Sequence, residues 1–310
     1  MPPMTRIVFM GTPEFAVPSL HTLHQNYTVV GVVTQPDRAA GRGNKVAFSP
    51  VKQFAMQAGL PLIQPHKLRE PDAQAQLAAW QPDLIVVAAF GQILKPAVLN
   101  LPPHGCINVH ASLLPRWRGA APIAASILAG DTETGCTIMH MDVGLDTGAM
   151  LAKRAEPIAA DDTTATLTAR LAQLGADLLI ETLPSILSGT LTPTPQNDEQ
   201  ATYAPQLKKE DGHLNFAQTA EVLERRVRAF TPWPGTFALW NGQPVKILKT
   251  SLAPDMRGEP GTVAQTPRGV AVACGTGGLL LEVIQPAGKK PMPAADFARG
   301  ARDFIGARLK

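Results

Sequence analysis

Along the first two thirds of the chain, short continuous apolar runs alternate with stretches of helical spacing. The runs predict strands at Arg6–Met10, Thr28–Thr34, Leu84–Phe90, Cys106–Ala111 and Cys136–Val143. The central ones are rich in Val and Ile and lack polar alternation, as in strands covered on both faces. Helices are predicted between them at Phe15–Leu23, Val51–Ala58, Asp72–Trp80 and Pro122–Leu128. Such alternation predicts an α/β fold with a doubly wound, mostly parallel, Rossmann-like sheet.

A longer helix is expected from Thr163, with Leu167, Leu171, Leu174 and Leu178 on one apolar face. Pro184 should end or kink it near Leu183. The stretch from Gly189 to Gln206 is rich in Pro and Thr and poor in apolar residues, the composition of a linker. Beyond it the pattern changes. A short helix, Val222–Phe230, carries Leu223, Val227 and Phe230 on one face and Arg225, Arg226 and Arg228 beside them. Apolar runs Thr236–Trp240 and Val245–Lys249 bracket Asn241-Gly242, a strong hairpin signal. Val270–Cys274 and Leu279–Ile284 flank a glycine-rich turn, and these short strands predict a small antiparallel, OB-like barrel. The expected organisation is a domain over 1–189, a linker over 190–206 and a smaller domain over 207–310.

Composition narrows the class. The chain has 310 residues, 26 of them Gly and 29 Pro, short of the roughly 25–30% that marks low complexity. The longest strongly apolar run, Leu84–Phe90, is far below the ~20 residues of a bilayer span, so no membrane partner is expected. The first residues carry no leader-like apolar stretch, which makes the cytoplasm the expected location. Three scattered cysteines, Cys106, Cys136 and Cys274, form neither a metal motif nor a disulfide framework, and burial as small apolar residues is expected for each.

The net charge of +3 is unevenly spread. Through Ala204 there are 13 Lys/Arg against 16 Asp/Glu, and from Pro205 onward 15 against 9. A basic C-terminal part suits a polyanionic partner, although an ordinary solvated surface would carry the same charges.

The candidate chemistry lies at strand ends. The first strand runs into Gly11-Thr-Pro-Glu-Phe15, whose single glycine lacks the dinucleotide-binding pattern, and no phosphate-loop lysine follows. After the strand at Cys106, Asn108 and His110 stand two residues apart and so share a face. Ser112-Leu-Leu-Pro-Arg-Trp-Arg-Gly119 follows directly. A polar pair at the end of an apolar strand is costly unless it is satisfied or used. A histidine bonded to backbone in the core accounts for His110 equally well. Asp146, between Gly144 and Gly148, could approach a ligand or stabilise its own turn. An Asn–His–Asp set suits attack of an amine on an acyl carbon, with the amide N–H stabilising developing oxyanion charge, the histidine relaying the proton and the carboxylate orienting or charging the histidine. Ser112 lacks the surroundings of a nucleophilic serine, and Cys106, mid-strand beside Gly105, suits packing better than attack.

Asn-x-His, then Ser-Leu-Leu-Pro-x-x-Arg-Gly, then a loop Asp some 36 residues after the histidine resembles the signature of the folate-dependent formyltransferase family. The resemblance extends to Phe9-Met-Gly-Thr-Pro-Glu-Phe-Ala, Gln35-Pro-Asp-Arg, Gly41-Arg-Gly and Arg228-Ala-Phe-Thr-Pro-Trp-Pro-Gly-Thr, and so covers the whole chain. It implies an enzyme that moves the formyl group of 10-formyltetrahydrofolate to the amino group of methionyl initiator tRNA for translation initiation. The transfer would pass through a tetrahedral intermediate, with no metal and no covalent enzyme intermediate. By position, Asn108, His110 and Asp146 would be catalytic. Ser112, Leu113, Leu114, Pro115, Phe90, Met141, Asp142 and Val143 would line the folate site. Phe15 would meet the methionyl side chain, and Arg42, with Lys45 and Arg38 nearby, the acceptor end of the tRNA. Lys208, Lys209, Arg225 and Arg228, together with Arg226, Lys289 and Lys290, would contact its phosphates. A monomer with no obligate protein partner is expected. Relatives acting on small amines share the Asn-His-Asp signature; the Arg42 loop and the basic C-terminal part favour tRNA.

Overall fold

The computed structural model describes residues 5–40 and 45–310. The chain divides into two compact units. The first comprises 1–122, 133–157 and 168–204; the second gathers 123–132 and 158–167 with 205–310.

The strands and helices of the first part follow the apolar pattern closely. In chain order they are β1 (Arg6–Gly11), α1 (Val17–Asn26), β2 (Thr28–Val33), β3 (Arg38–Ala40), β4 (Lys45–Ala47), α2 (Pro50–Gln57) and β5 (Leu62–Ile63). Then come α3 (Pro71–Ala79), β6 (Leu84–Ala88), α4 (Pro96–Leu99), β7 (Cys106–His110), β8 (Arg118–Gly119), α5 (Pro122–Ala129), β9 (Glu133–His140), β10 (Met150–Pro157), α6 (Thr164–Leu187) and β11 (Tyr203–Ala204). Seven strands form one sheet in the order β10-β9-β7-β6-β1-β2-β5. Strands β5, β2, β1, β6 and β7 run parallel, and β9 and β10 complete the sheet antiparallel. β6 is buried at every residue, as its unbroken Leu-Ile-Val-Val-Ala run requires.

The two faces of β7 are used differently. A Cβ added to Gly175 of α6 would come within 2.7 Å of Val109, so the helix packs tightly on that face. Asn108 and His110 therefore face the opposite side. There Cys106 shares an apolar cluster with Val8, Met10, Ile85, Val87 and Phe90.

Of the two outcomes expected at Pro184, an end near Leu183 does not occur: helix α6 continues to Leu187 with Pro184 inside it. The missing Pro184 N–H costs one bond near the helix end, while Leu179, Leu183 and Ile186 are all buried and hold the last turns. The Pro- and Thr-rich stretch after it is hydrogen-bonded along the first unit. Thr194 and Met150 exchange two backbone bonds of 2.8 Å, and β11 lies parallel to β8.

The second unit contains α7 (Ala220–Ala229), β12 (Thr236–Trp240), β13 (Gln243–Leu252), β14 (Val263–Thr266), β15 (Gly269–Ala273), β16 (Gly278–Pro286), β17 (Met292–Pro293) and α8 (Ala294–Gly300). The sheet order β12-β13-β16-β15-β14 is antiparallel throughout. Asn241 and Gly242 both adopt positive φ, 49° and 73°, as the tight β12–β13 turn demands. The last residues close the sheet: Leu239 of β12 exchanges backbone bonds with Lys310, while Gly261 and Val263 bond to Leu309, Ala307 and Gly306. Its core gathers Leu223 and Val227 of α7 with Val245, Ile247, Val272, Leu281, Phe297 and Phe304.

The division also redistributes charge. Asp131, Asp161 and Asp162 belong to the second unit, which thus holds 15 Lys/Arg against 12 Asp/Glu, while the first holds 13 against 13. The second unit remains basic, by half the margin the linear count gave.

Candidate active site

Residue register explains how the site assembles. Asn108 pairs with Met139 and His110 with Thr137 across the antiparallel β7–β9 ladder, so Thr137 shares the face of the Asn–His pair. The fully buried Thr137 hydroxyl donates to the Ser112 carbonyl at 2.7 Å and accepts from the Leu114 N–H at 3.1 Å. One threonine thereby fixes the segment that follows β7. The Ser112 hydroxyl donates to the Arg116 carbonyl at 2.6 Å and closes the turn. It is spent on structure, not poised for attack.

His110 is 5% exposed. Its Nε2 lies 2.9 Å from the Trp117 carbonyl, and because a carbonyl only accepts, Nε2 carries the proton. Nδ1 is thereby turned toward Asp146, 3.7 Å from Oδ2. β9 ends beside the start of β7, so the loop after it must double back to bring Asp146 to His110. Close backbone approach makes this possible: a Cβ on Gly148 would collide with the His140 carbonyl. Asp146 itself sits at φ 53°, a conformation unfavourable by about 1–2 kcal/mol for a side-chain-bearing residue unless its surroundings impose it. They do. Its Oδ2 accepts the Gly119 N–H at 2.8 Å, and its own carbonyl accepts from Gln196 Nε2 at 2.8 Å.

Asn108 is 8% exposed, and among the described residues its side-chain amide makes no hydrogen bond. Its amide oxygen and nitrogen both keep contact with solvent, so the tip of the side chain opens toward the space in front of β7. An idle amide beside an ordered His–Asp pair is where an incoming carbonyl oxygen would be received.

The other sequence-singled residues divide. Phe90 is buried in the cluster next to Cys106, and Met141 packs half-buried against it. Leu114 is fully buried with Met139 and Met150, whereas Leu113 and Pro115 are only partly covered. Asp142 turns back on its own loop, accepting from the Gly144 N–H at 2.9 Å and the Thr147 hydroxyl at 2.6 Å, and Val143 is exposed. Phe15 is buried in a single 3-10 turn after β1. Arg42 lies outside the described residues; Arg38 and Lys45 are placed only as members of β3 and β4. In the second unit Lys208, Lys209, Lys289 and Lys290 are exposed. Arg228 is engaged with Glu224 at 2.7 Å and the Asp162 carbonyl at 3.0 Å; Arg225 is half-buried. Burial pushes the thiols of Cys106 and Cys274 up to about 12 and about 11, which leaves them inert as nucleophiles. Sequence inspection missed Thr137 and Gln196 and read the fully buried Arg118 only as part of the Ser112–Gly119 signature; a polar residue inside the apolar run Cys136–Met139 was the available signal for the first.

The family model described as formyl transferase matches residues 5–183, and that described as formyl transferase, C-terminal domain, matches 206–302. The chain belongs to the formyl transferase family. Within it, the chain is 50% identical over 303 residues to a methionyl-tRNA formyltransferase of Marinobacter nauticus, covering 97% of each chain. It is 52% identical to that of Myxococcus xanthus, covering 95% of each. Among solved structures, an N-formyltransferase from Helicobacter canadensis in complex with folinic acid and dTDP-3-aminofucose shares the fold, with TM-score 0.65, 20% identity and coverage of 93% of this chain and 100% of that one. HypX from Aquifex aeolicus in complex with tetrahydrofolic acid matches with TM-score 0.63 and 16% identity over 97% of this chain, which spans 48% of HypX.

Proposed function

We infer that this chain transfers the formyl group of 10-formyltetrahydrofolate to the amino group of methionyl initiator tRNA. The observation that carries the reaction is the meeting of Asn108, whose solvent-facing amide has no partner among the described residues, with His110 and Asp146 at the end of β7. The acceptor is supported by about 50% identity to methionyl-tRNA formyltransferases across both parts of the chain.

The donor supplies a formyl carbon open to attack by the amine. The Phe90–Met141 cluster, which includes Val87 opposite Asn108 on β6, offers an apolar wall beside Asn108 that suits a flat heteroaromatic ring. Asn108 would donate its amide N–H to the oxygen on which negative charge develops. His110, locked by Trp117, offers Nδ1 to the proton the amine must lose, and Asp146 stabilises the charge this creates; the same proton then passes to N10 as its bond to the formyl carbon breaks and tetrahydrofolate leaves. Exposed Lys208, Lys209, Lys289 and Lys290 suit phosphate contacts. All three reacting groups come from one chain, so a monomer suffices, and the compartment is the cytoplasm, where translation is initiated. Among the described residues no helix is long and apolar enough to cross a membrane.

The test offers the purified chain the donor with methionyl initiator tRNA, with free small amines, or alone. Formylation confined to the charged tRNA is expected. Faster formylation of a small amine, or hydrolysis of the donor alone, would overturn the assignment.

A further inference from the structure

We propose that Gln196 is a positioning residue for the reaction: it fixes Asp146 at His110 from outside the catalytic loop. The inference rests on the formyl-transfer reading above and deepens it.

The segment that contains Gln196 has the composition of a linker, but it is laid along the catalytic loop as a strap. Thr194 is paired to Met150 at the loop's far end, and Thr202 accepts the Trp117 N–H at 2.9 Å through its hydroxyl. Between these ties, Gln196 Nε2 donates to two carbonyls of the loop, those of Asp146 and Gly148, each at 2.8 Å. Its Oε1 accepts from Arg118 Nε at 3.0 Å, and the Arg118 NH2 group is held by Asp198 at 2.7 Å. The arrangement admits one orientation of the amide. Turned over, it would face two carbonyls with an oxygen and an Arg N–H with an NH2 group.

Three features show that the contact bears on Asp146 specifically. The two accepting carbonyls flank the turn at which Asp146 takes its positive φ. Arg118 is among the largest fully buried side chains of the protein, so the far side of the amide is anchored in a rigid place. Gly119, next to Arg118, gives its N–H to Asp146 Oδ2. Strand β8 therefore grips the carboxylate directly and the carbonyl behind it through Gln196. His110 Nδ1 lies 3.7 Å away, so a shift of one ångström changes strongly how well the carboxylate stabilises charge on the imidazole.

The test compares Gln196→Met, which keeps the length but loses both donors, and Gln196→Glu, which keeps the bond to Arg118 but meets the two carbonyls with oxygen. Turnover on methionyl initiator tRNA, KM for each substrate and the melting temperature are measured together. A fall in kcat of about 10- to 100-fold with KM values changed less than about two-fold is expected for both. In an Asp146→Asn background, Gln196→Met should then alter kcat by less than about two-fold, because the residue it positions is no longer functional. Amide exchange at Gly119, whose hydrogen goes to Asp146, should quicken in the Gln196→Met variant whatever the substrate proves to be. Normal kcat and unchanged Gly119 exchange in both variants would overturn the proposal, as would a loss of equal size in the Asp146→Asn background. Faster Gly119 exchange in a protein that does not formylate methionyl-tRNA would retain the positioning role and refute the assigned reaction.

Discussion

Replacing Asn108 by Ala separates catalysis from stability in a way that few active-site substitutions do. A buried asparagine is ordinarily held by hydrogen bonds, and truncating it leaves partners unsatisfied. Here the residue is 8% exposed and its amide, open to solvent, bonds to nothing among the described residues, so truncation leaves no orphaned group. The lost packing costs about 1 kcal/mol, and an amide already in contact with solvent forfeits no hydrogen bond within the protein. Stability should thus change by no more than about 1 kcal/mol, some 2 °C in melting temperature for a chain of this size. The transition state loses an oxyanion donor, worth about 2.7–4 kcal/mol, or 100- to 1,000-fold in kcat. The assay is formylation of methionyl initiator tRNA under saturating donor, with thermal melting on the same preparation. Turnover within ten-fold of wild type would remove Asn108 from the chemistry. A loss of activity matched by a melting point several degrees lower would make it a structural residue.

Three further outcomes follow from the same geometry. Arg118→Met strips Gln196 Oε1 of its donor but leaves Asp198, which is 83% exposed, to water; the expected loss is about 1–3 kcal/mol rather than that of a broken buried ion pair, read as a lower unfolding midpoint in urea. Changing Lys208, Lys209, Lys289 and Lys290 together to Gln should weaken tRNA binding and flatten its log–log salt dependence by about 3, at roughly 0.7–0.9 per phosphate released; an unchanged slope would place the tRNA elsewhere. Burial holds His140 below its ordinary histidine range, so the unfolded chain binds the proton more readily and stability declines as pH falls through about 6.5. His140→Asn should lessen that decline in a pH series of unfolding midpoints.

The parallel core was legible because burial on both faces leaves an apolar run with no alternation, as in Leu84–Ala88. The edge of the sheet was not. β10 alternates exposed Lys153, Ala155 and Pro157 with partly covered Arg154 and Glu156, and as an edge strand it carries charge that discourages further pairing but disguises it in sequence. β9 begins at Glu133, ahead of the apolar run at Cys136, since Thr134 is buried despite its polarity. Asn108 and His110 could be placed on one face from strand periodicity alone. Their separation from Asp146 could not, because it depends on how the 141–148 loop doubles back, on Gly148 and on Gln196, fifty residues away. The linear charge count misjudged the second unit for a related reason: Asp131, Asp161 and Asp162 join it in space and not in sequence.

The central claim is that Asn108, His110 and Asp146 pass a formyl group straight from donor to charged tRNA. Single-turnover rapid quench with 10-formyltetrahydrofolate labelled in the formyl carbon tests it most directly. Label should appear on the methionyl amino group as fast as it leaves the donor, with none on the protein at any time, and Asn108→Ala should slow both together. Label trapped on the enzyme, or released as formate while the tRNA stays unmodified, would contradict it.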